Sequence, residues 1–517
     1  MRQILISLGR RLATDERGAV LLMFTLYMVP LLAVIAVAVD FSHILVVKQK
    51  LTNAVDAAAI AVGRHPDLTD EEATAMGQAF IRAHYPDADL ETLAAFHVDP
   101  KPDTVDVTAT ARVTTTFLRV LSYDTVDVTV ASRVQRQQRR AEVVMVLDNS
   151  GSMAGTKIAN LKTAANKLVD ILFGADAESE YVKVGLVPFT AAVNIGTDKI
   201  GSGWLDTAAL SPLQAEDIDL PPLGTLIGLL GNLTNVGWGG CVKARAGASG
   251  YDLTDEPPDA AVGETLFVPY VAPDEPTTTA TQRVRYNNSY LADIITTNVV
   301  AMQRNIVKYL GLADLSGGRG PNYNCVQSPI HELTNNKAAI TSAINSMAAG
   351  GNTVIPEGLA WGWRVLSPTP PYTEGAPYSD QSVVKVLILL TDGENNVGGG
   401  GNGHNKSSFS AYGYAASGHL GATDGSQTRQ TLDGKTRTLC SNIKGNKDTI
   451  DGDQDIFVYT ISFQVPDLAT RTMLQDCATP ARDCPGNQCY YESPTATALE
   501  GAFSSIALGI NELRVAR

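Results

Sequence analysis

The chain has 517 residues, of which 44% are hydrophobic and 18% are charged. This length and composition predict several globular domains with a large core, and they exclude a disordered or collagen-like protein. Lys and Arg number 40 against 54 Asp and Glu, which gives a formal net charge of −14. Because so acidic a chain repels phosphate backbones, no nucleic-acid partner is expected.

The first predicted element is a transmembrane helix at residues 18–39. This run has no charged residue and is rich in Leu, Val, Ala and Met. It is longer than the roughly 20 residues that cross a bilayer. Four arginines precede it against two acidic residues, so the positive-inside rule predicts a cytoplasmic tail at 1–17 and the main body outside the cytoplasm. A cleaved signal and a buried core helix are the alternatives, and the length of the run favours an uncleaved anchor.

Residues 40–135 are predicted to form a helix that continues from the anchor and a small α+β unit. Thr69 and Glu72 form a capping-box pattern at the start of a further helix. Alternating apolar and polar residues predict two strands, at 105–113 and 125–134. The polar, arginine-rich stretch up to the next domain is interpreted as a linker, at 136–141.

Residues 142–517 have the pattern of an α/β domain. Continuous apolar runs predict buried strands at 142–147, 182–187, 383–390 and 456–463. Amphipathic helical patterns lie at 158–172, 337–347, 357–366 and 499–513. The alternation predicts a doubly wound, mostly parallel sheet whose functional site lies at the carboxyl ends of the strands. Two segments rich in polar residues and glycine are interpreted as insertions, at about 196–332 and 394–440.

All six cysteines follow the predicted anchor, which favours an oxidising compartment and structural disulfides. They are Cys241, Cys325, Cys440, Cys477, Cys484 and Cys489. Six cysteines leave the connectivity open. A local bridge from Cys484 to Cys489, or one to Cys477, is compatible with their spacing. A bridge from Cys241 to Cys325 would restrain the longer insertion. A zinc site is disfavoured because the sequence has no paired CxxC motif.

A candidate metal site begins where the first buried strand ends. This strand runs directly into the motif Asp148-Asn149-Ser150-Gly151-Ser152, which places a carboxylate and two hydroxyls at alternate positions. Thr353 and Asp392 add a hydroxyl and a second carboxylate near other strand and helix ends. Oxygen donors of this kind suit Mg²⁺, with Mn²⁺ or Ca²⁺ as alternatives. The competing interpretation is a polar turn that caps the following helix.

This arrangement resembles the von Willebrand factor A domain and its metal-ion-dependent adhesion site, over about residues 141–517. The resemblance implies that Ser150, Ser152 and, in some states, Thr353 contact the cation directly. It implies that Asp148 and Asp392 act mostly through water. A cation held by uncharged hydroxyls stays electron-poor, so it would accept a carboxylate from a protein ligand.

The N-terminal segment has a resemblance of its own. Its matching stretches are residues 17–19, 39–42, 48–51 and 53–59, and they resemble TadG-like Tad/Flp pilus-assembly proteins. That family commonly joins such an anchor to a von Willebrand A domain. Met23 stands where a prepilin-type cleavage site would have Glu, which favours a retained anchor. The resemblance implies a single-pass protein of the bacterial inner membrane, with a periplasmic body and other pilus-assembly subunits as partners.

Three functions follow as hypotheses. The first is a membrane-anchored, metal-dependent protein-binding module of the bacterial envelope, and not an enzyme. The second is a structural scaffold subunit in which the metal only stabilises the fold. The third is a metal-dependent hydrolase, which is disfavoured because the sequence has no Ser-His-Asp order, P-loop or HExxH motif. An imperfect EF-hand pattern at 451–455 is interpreted as a solvated turn.

Overall fold

The computed structural model describes most of the chain, and its two compact units separate between residues 138 and 139. The described residues are 16–65, 68–85, 93–101, 104–135, 139–221, 224–233, 236–247, 249–276, 287–293, 298–310, 318–399, 403–445 and 456–515. The EF-hand pattern at 451–455 and most of the predicted tail lie outside them.

The first unit combines two helices with an antiparallel sheet in the order β1-β2-β3. Its elements are α1 (Glu16–Gly63), α2 (Asp70–His84), β1 (Leu93–Pro100), β2 (Thr104–Thr114) and β3 (Thr125–Gln135). Helix α1 runs through the predicted anchor and beyond it without a break, with Pro30 inside. Its segment from Met23 is the one helix of the described residues that is long and apolar enough to cross a membrane.

The core of the first unit lies between the later half of α1 and the sheet. Leu51, Val55 and Ala58 of α1 are fully buried and belong to one cluster with Val105 and Val107 of β2. Their three- and four-residue spacing explains why this half of α1 packs on protein. Strand β1 was not predicted. A bulge interrupts its pairing, and most of its residues are exposed or half-buried, so apolar and polar residues alternate only weakly along it.

The second unit is an α/β domain. Its strands are β4 (Arg140–Asp148), β5 (Val182–Phe189), β6 (Val193–Asn194), β7 (Cys241–Val242), β8 (His331–Thr334), β9 (Val383–Thr391), β10 (Ile456–Phe463) and β11 (Tyr490–Ser493). Its helices are α3 (Thr156–Phe173), α4 (Leu226–Leu233), α5 (Val299–Arg304), α6 (Lys337–Ser346), α7 (Ile355–Leu366), α8 (Arg429–Gly445), α9 (Leu468–Cys477) and α10 (Ala496–Val515).

The predicted doubly wound, mostly parallel sheet is confirmed. The strand order is β11-β10-β9-β4-β5-β6-β7, and β8 pairs with β5. Strands β11, β10, β9, β4 and β5 are parallel, whereas β6, β7 and β8 add antiparallel pairs. Alternate residues of β4 enter different clusters: Met145 packs with α3, α6 and α10, and Val146 packs with α7, α8 and α9. Burial on both faces explains the continuous apolar sequence of this strand.

Helix α7 lies unusually close to the sheet because two of its residues have no side chain. A Cβ atom on Gly358 would lie 2.5 Å from the Phe189 ring, and one on Gly362 would lie 2.3 Å from Val146 Cγ2. Close packing here matters for the site, because the loop that carries Thr353 leads directly into this helix.

The structure changes two predicted boundaries. Strand β4 begins at Arg140, inside the predicted linker at 136–141, because its backbone bonds the neighbouring segment at Ser382. Helix α8 begins at Arg429, so the end of the shorter insertion belongs to the core. The longer insertion also contributes to the core, since Phe267 lies 4.6 Å from Trp361 between ring centroids.

The six cysteines form three disulfides. The pairs are Cys241–Cys325, Cys440–Cys477 and Cys484–Cys489. Two of the bridges that the spacing allowed are therefore present. The third joins α8 to α9, and sequence spacing did not single it out.

Candidate metal-ion-dependent adhesion site

The candidate site lies at the topological switch point of the sheet, where the strands that follow β4 in the chain are added on opposite sides of it. Strand β4 is central, β5 lies on one side of it and β9 on the other. The chain therefore leaves the carboxyl ends of the adjacent strands β4 and β9 towards opposite helical layers, which opens a crevice between them. Asp148 ends β4 and Asp392 follows β9, so both predicted carboxylates lie at this crevice.

The turn after β4 holds its side-chain oxygens close together. Asp148 is fully buried, and its Oδ1 accepts a hydrogen bond from the backbone N–H of Ser150 at 2.7 Å. The hydroxyl oxygens of Ser150 and Ser152 are 2.9 Å apart. Ser152 lies in a single 3₁₀ turn, Gly151–Met153, which brings its side chain back over the end of the strand.

The second carboxylate joins the same group. Ser152 donates from Oγ to Asp392 Oδ1 at 2.6 Å. The other oxygen, Asp392 Oδ2, accepts from Lys157 Nζ at 2.6 Å. Lys157 lies at the start of α3, and the carboxylate of Asp392 is fully buried whereas the lysine side chain is 26% exposed.

The loop that carries Thr353 is held at the crevice by its backbone. Gly151 donates to the Gly351 carbonyl at 2.9 Å, and Gly351 has a φ of +78°, which glycine adopts without strain. Thr353 exchanges backbone hydrogen bonds with Asn396, on the loop after β9, at 3.1 and 2.8 Å. Of the five predicted residues, Asp148, Ser150, Ser152 and Asp392 are therefore linked by side-chain hydrogen bonds or by the turn after β4. Thr353 is held near them by the backbone hydrogen bonds of its loop.

Burial of two carboxylates leaves the crevice electrostatically unbalanced. Burial, together with the charge of Asp392, raises the pKa of Asp148 to about 6, although hydrogen bonds from Thr391 and Ser150 oppose the shift. A divalent cation between the two carboxylates would reverse this effect, because it stabilises both negative charges.

The donor set fits such a cation. Neighbouring ligands in octahedral geometry around Mg²⁺, each about 2.1 Å from the ion, lie about 3.0 Å apart. The two hydroxyls of the turn are close to this spacing, at 2.9 Å, whereas the 2.6 Å between Ser152 Oγ and the Asp392 carboxylate is a hydrogen-bond distance. Among the described residues, no group of three or more His, Cys, Asp or Glu side chains could hold a metal. The candidate therefore depends on hydroxyls combined with carboxylates.

Two residues of the site escaped prediction. Thr391 donates from Oγ1 to Asp148 Oδ2 at 2.6 Å and so links the ends of β4 and β9. Lys157 pairs with Asp392, as described above. The sequence held a signal for this lysine. It is the second residue of α3, and a positive charge at a helix N-terminus is unfavourable unless a nearby anion compensates it.

The N-terminal segment has a recognisable family. Residues 18–65 match the family model described as putative Flp pilus-assembly TadE/G-like. The recognition of a TadG-like N-terminus is confirmed. Together with the long apolar helix that begins the described part of the chain, the TadE/G-like match indicates a membrane-anchored envelope protein. No curated protein matches the chain.

Several solved structures resemble this chain at low sequence identity. The von Willebrand domain of the type V pili tip protein Mfa5 from Porphyromonas gingivalis is 10% identical, with a TM-score of 0.33, over 72% of this chain and 96% of that chain. The pilus adhesin SpaC from Lactobacillus rhamnosus GG is 13% identical, with a TM-score of 0.33, over 80% of this chain. This chain covers only 33% of the adhesin.

A third similar structure is a von Willebrand factor type A protein from Catenulispora acidiphila. It is 12% identical, with a TM-score of 0.27, over 78% of this chain and 45% of that chain. At such identities and TM-scores, these likenesses carry no information on ligands or activity.

Proposed function

We propose that this protein is a membrane-anchored, divalent-metal-dependent protein-binding module of the bacterial envelope that acts in Tad/Flp pilus assembly or surface attachment. One observation carries the proposal. Beside the buried Asp148, the hydroxyl oxygens of Ser150 and Ser152 are 2.9 Å apart, and Ser152 Oγ is 2.6 Å from Asp392 Oδ1. The TadE/G-like N-terminus supports the pilus context. In this proposal the anchor spans the inner membrane once, with a cytoplasmic N-terminus and a periplasmic body.

The residues have distinct roles in the proposed site. Ser150 and Ser152, joined by Thr353, would hold the cation directly, and Asp148 and Asp392 would act mostly through water. A bound Mg²⁺, Mn²⁺ or Ca²⁺ supplies an electron-poor acceptor for a carboxylate of a protein ligand. The buried Thr391–Asp148 hydrogen bond keeps the first carboxylate in place at the end of β4.

The test is a metal titration of the full-length protein in detergent micelles by calorimetry. The wild-type protein is expected to bind one Mg²⁺ per chain, and Asp148→Ala is expected to lose this binding while its circular dichroism is unchanged. Asp198→Ala is the matched control, because Asp198 is an exposed acid of the same unit. Equal metal binding by Asp148→Ala and wild type would refute the proposed site.

A structural scaffold is the second candidate, and the Lys157–Asp392 ion pair favours it. Because this ammonium gives Asp392 a positive partner at 2.6 Å, the fold has a way to neutralise that carboxylate without a metal. Cells that carry Asp148→Ala distinguish the two functions. Loss of surface attachment with normal protein levels supports the binding module, whereas unimpaired attachment and pilus assembly support the scaffold.

A further inference from the structure

The loop between β2 and β3 presents apolar side chains to its surroundings although a polar tip would suffice for a hairpin. Phe117 is 44% exposed, Val120 is 85% exposed and Tyr123 is 62% exposed. The tip is ordered by a 3₁₀ turn, Leu118–Leu121, which Ser122 closes with a φ of +67°. Exposed apolar side chains grouped on one ordered loop mark a surface that something else covers.

This loop is tied to one position along α1. Asp40 of that helix is 4% exposed. Its Oδ1 accepts the backbone N–H of Thr116 at 3.0 Å, and its Oδ2 accepts those of Phe117 and Leu118 at 2.8 and 2.6 Å. Hydrogen bonds to a carboxylate are stronger than neutral ones, so three of them fix the height of the loop on the helix.

That height coincides with the end of the apolar anchor. Asp40 is the first charged residue after the uncharged run at 18–39. This run is about 33 Å long as a helix, which is close to the thickness of the hydrocarbon core. The apolar character of α1 continues for about two turns past Asp40, since Phe41, Leu45 and Val46 are 58%, 49% and 53% exposed. In a bilayer that α1 crosses along the run at 18–39, the loop would lie at the level where lipid tails give way to headgroups.

We propose that the β2–β3 loop inserts Phe117, Val120 and Tyr123 into the headgroup region of the bilayer that α1 crosses. Aromatic and aliphatic side chains of this kind are enriched at the membrane interface. Arg119, which is 74% exposed and lies 3.7 Å from the exposed Asp124, adds to the same turn a positive charge that suits lipid phosphates. The occupant is the lipid surface, because the three hydrogen bonds to Asp40 hold the loop beside this membrane whichever protein partners are present.

The proposal gives Asp40 a physical reason for its burial. A carboxylate at the edge of the hydrocarbon core would lose water, and the three loop N–H groups replace that water. The contact also adds a second attachment point beside the helix. The first unit would then be held against rotation about the axis of α1.

The test measures lipid exposure of single nitroxide labels on the full-length protein in phospholipid nanodiscs. The described cysteines are all disulfide-bonded, so Val120→Cys adds a labelling site. Leu31→Cys, in the middle of the anchor, reports lipid, and Ile60→Cys is the matched control. Ile60 is 48% exposed, apolar and on α1, but about 30 Å further along the helix than Asp40. The readout is the ratio of collisions with oxygen to collisions with a water-soluble nickel chelate.

We expect this ratio to be several-fold higher at position 120 than at position 60 and to approach the ratio at position 31. A ratio at 120 equal to that at 60, with lipid exposure at 31, overturns the proposal. Shielding of position 120 from both reagents also overturns it and assigns the surface to a protein partner. Exposure of position 31 to the water-soluble chelate would show that α1 does not cross the bilayer there, and it would overturn the proposal. Asp40→Ala is expected to lower the ratio at 120 and to leave the ratio at 31 unchanged.

Discussion

Lys157 donates a hydrogen bond from Nζ to Oδ2 of Asp392 at 2.6 Å. The ammonium therefore holds one oxygen of a carboxylate that the proposed metal site would also use. Because Asp392 is fully buried and Asp148 lies nearby, this single positive charge partly balances two negative ones. An ammonium and a divalent cation compete for the same carboxylate, and the competition can be measured.

Lys157→Met is expected to raise the affinity for Mg²⁺ and to lower the stability of the metal-free protein. Removing the ammonium frees Asp392 Oδ2 and leaves a buried carboxylate without its partner, at a cost of about 1–3 kcal/mol because the lysine is partly exposed. Thermal unfolding with EDTA and with Mg²⁺ measures both effects. Lys162→Met is the control on the same helix, since Lys162 donates to the backbone carbonyl of Asn345 and lies in no ion pair with a described residue. A weaker affinity in Lys157→Met would contradict this competition.

A second prediction concerns the buried ion pair between β4 and β9. Lys385 Nζ lies 2.6 Å from Glu142 Oε2, and both side chains are less than 5% exposed. Lys385→Met alone is expected to destabilise the second unit by about 3 kcal/mol, because it leaves the buried Glu142 with the more distant and partly exposed Lys183, 3.9 Å away, as its ammonium partner. The double variant Glu142→Gln with Lys385→Met is expected to lose less, since it removes both charges.

Urea unfolding followed by tryptophan fluorescence measures this difference, because all four tryptophans lie in the second unit. Arg112→Met provides the control for an exposed pair, as Arg112 and Asp127 are 57% and 48% exposed. Circular dichroism is expected to show a much smaller loss of stability for Arg112→Met, in the first unit, because water screens an exposed ion pair. A double variant that is less stable than Lys385→Met would refute the argument.

A third prediction concerns pH. Burial raises the pKa of Glu357 to about 7, against the opposing charge of Arg364 and a hydrogen bond from Trp361. The unfolded chain has the ordinary value of 4.5, so between pH 4.5 and about 7 the folded state binds the extra proton. Stability from this group is therefore present at low pH and falls as pH rises through that window, by at most about 3 kcal/mol.

Glu357→Gln removes this titration. The stability of wild type relative to Glu357→Gln is expected to fall between pH 4.5 and 7 and to change little above pH 8. Tryptophan-monitored urea unfolding at several pH values provides the curve. Exposed Glu71 lies in the first unit, and Glu71→Gln is expected to leave the curve unchanged. A pH-independent difference between wild type and Glu357→Gln would show that Glu357 stays charged in the fold.

A fourth prediction ranks two disulfides by the length of chain that they close. Cys440 and Cys477 are 37 residues apart, whereas Cys484 and Cys489 are five residues apart. Loop-closure entropy predicts that replacing both cysteines of the first pair with alanine costs about 4 kcal/mol, against about 2 kcal/mol for the second pair. The urea midpoints of the two double variants, compared with wild type, measure the order. A reversed order would show that native packing, and not the unfolded chain, sets these contributions.

The sequence correctly predicted those elements in which the run of apolar residues is uninterrupted. The uncharged run at 18–39 is part of one long helix, and the apolar runs became β4, β5, β9 and β10 within one or two residues. The short strands β6, β7 and β8 were not predicted. They lie inside or beside the longer insertion, have two to four residues each, and are too short for any periodicity to show.

The sequence by itself determined the candidate residues of the metal site, because a motif that directly follows a predicted strand also has a predictable position in the fold. It also determined the anchor, because hydrocarbon requires a long uncharged run. Tertiary structure alone decided that Lys157 reaches Asp392 and that Asp40 holds the loop at Thr116–Leu118. These contacts span 235 and 76–78 residues of chain. Local periodicity carries no information over such distances, and only the packing of helices on the sheets brings these groups together.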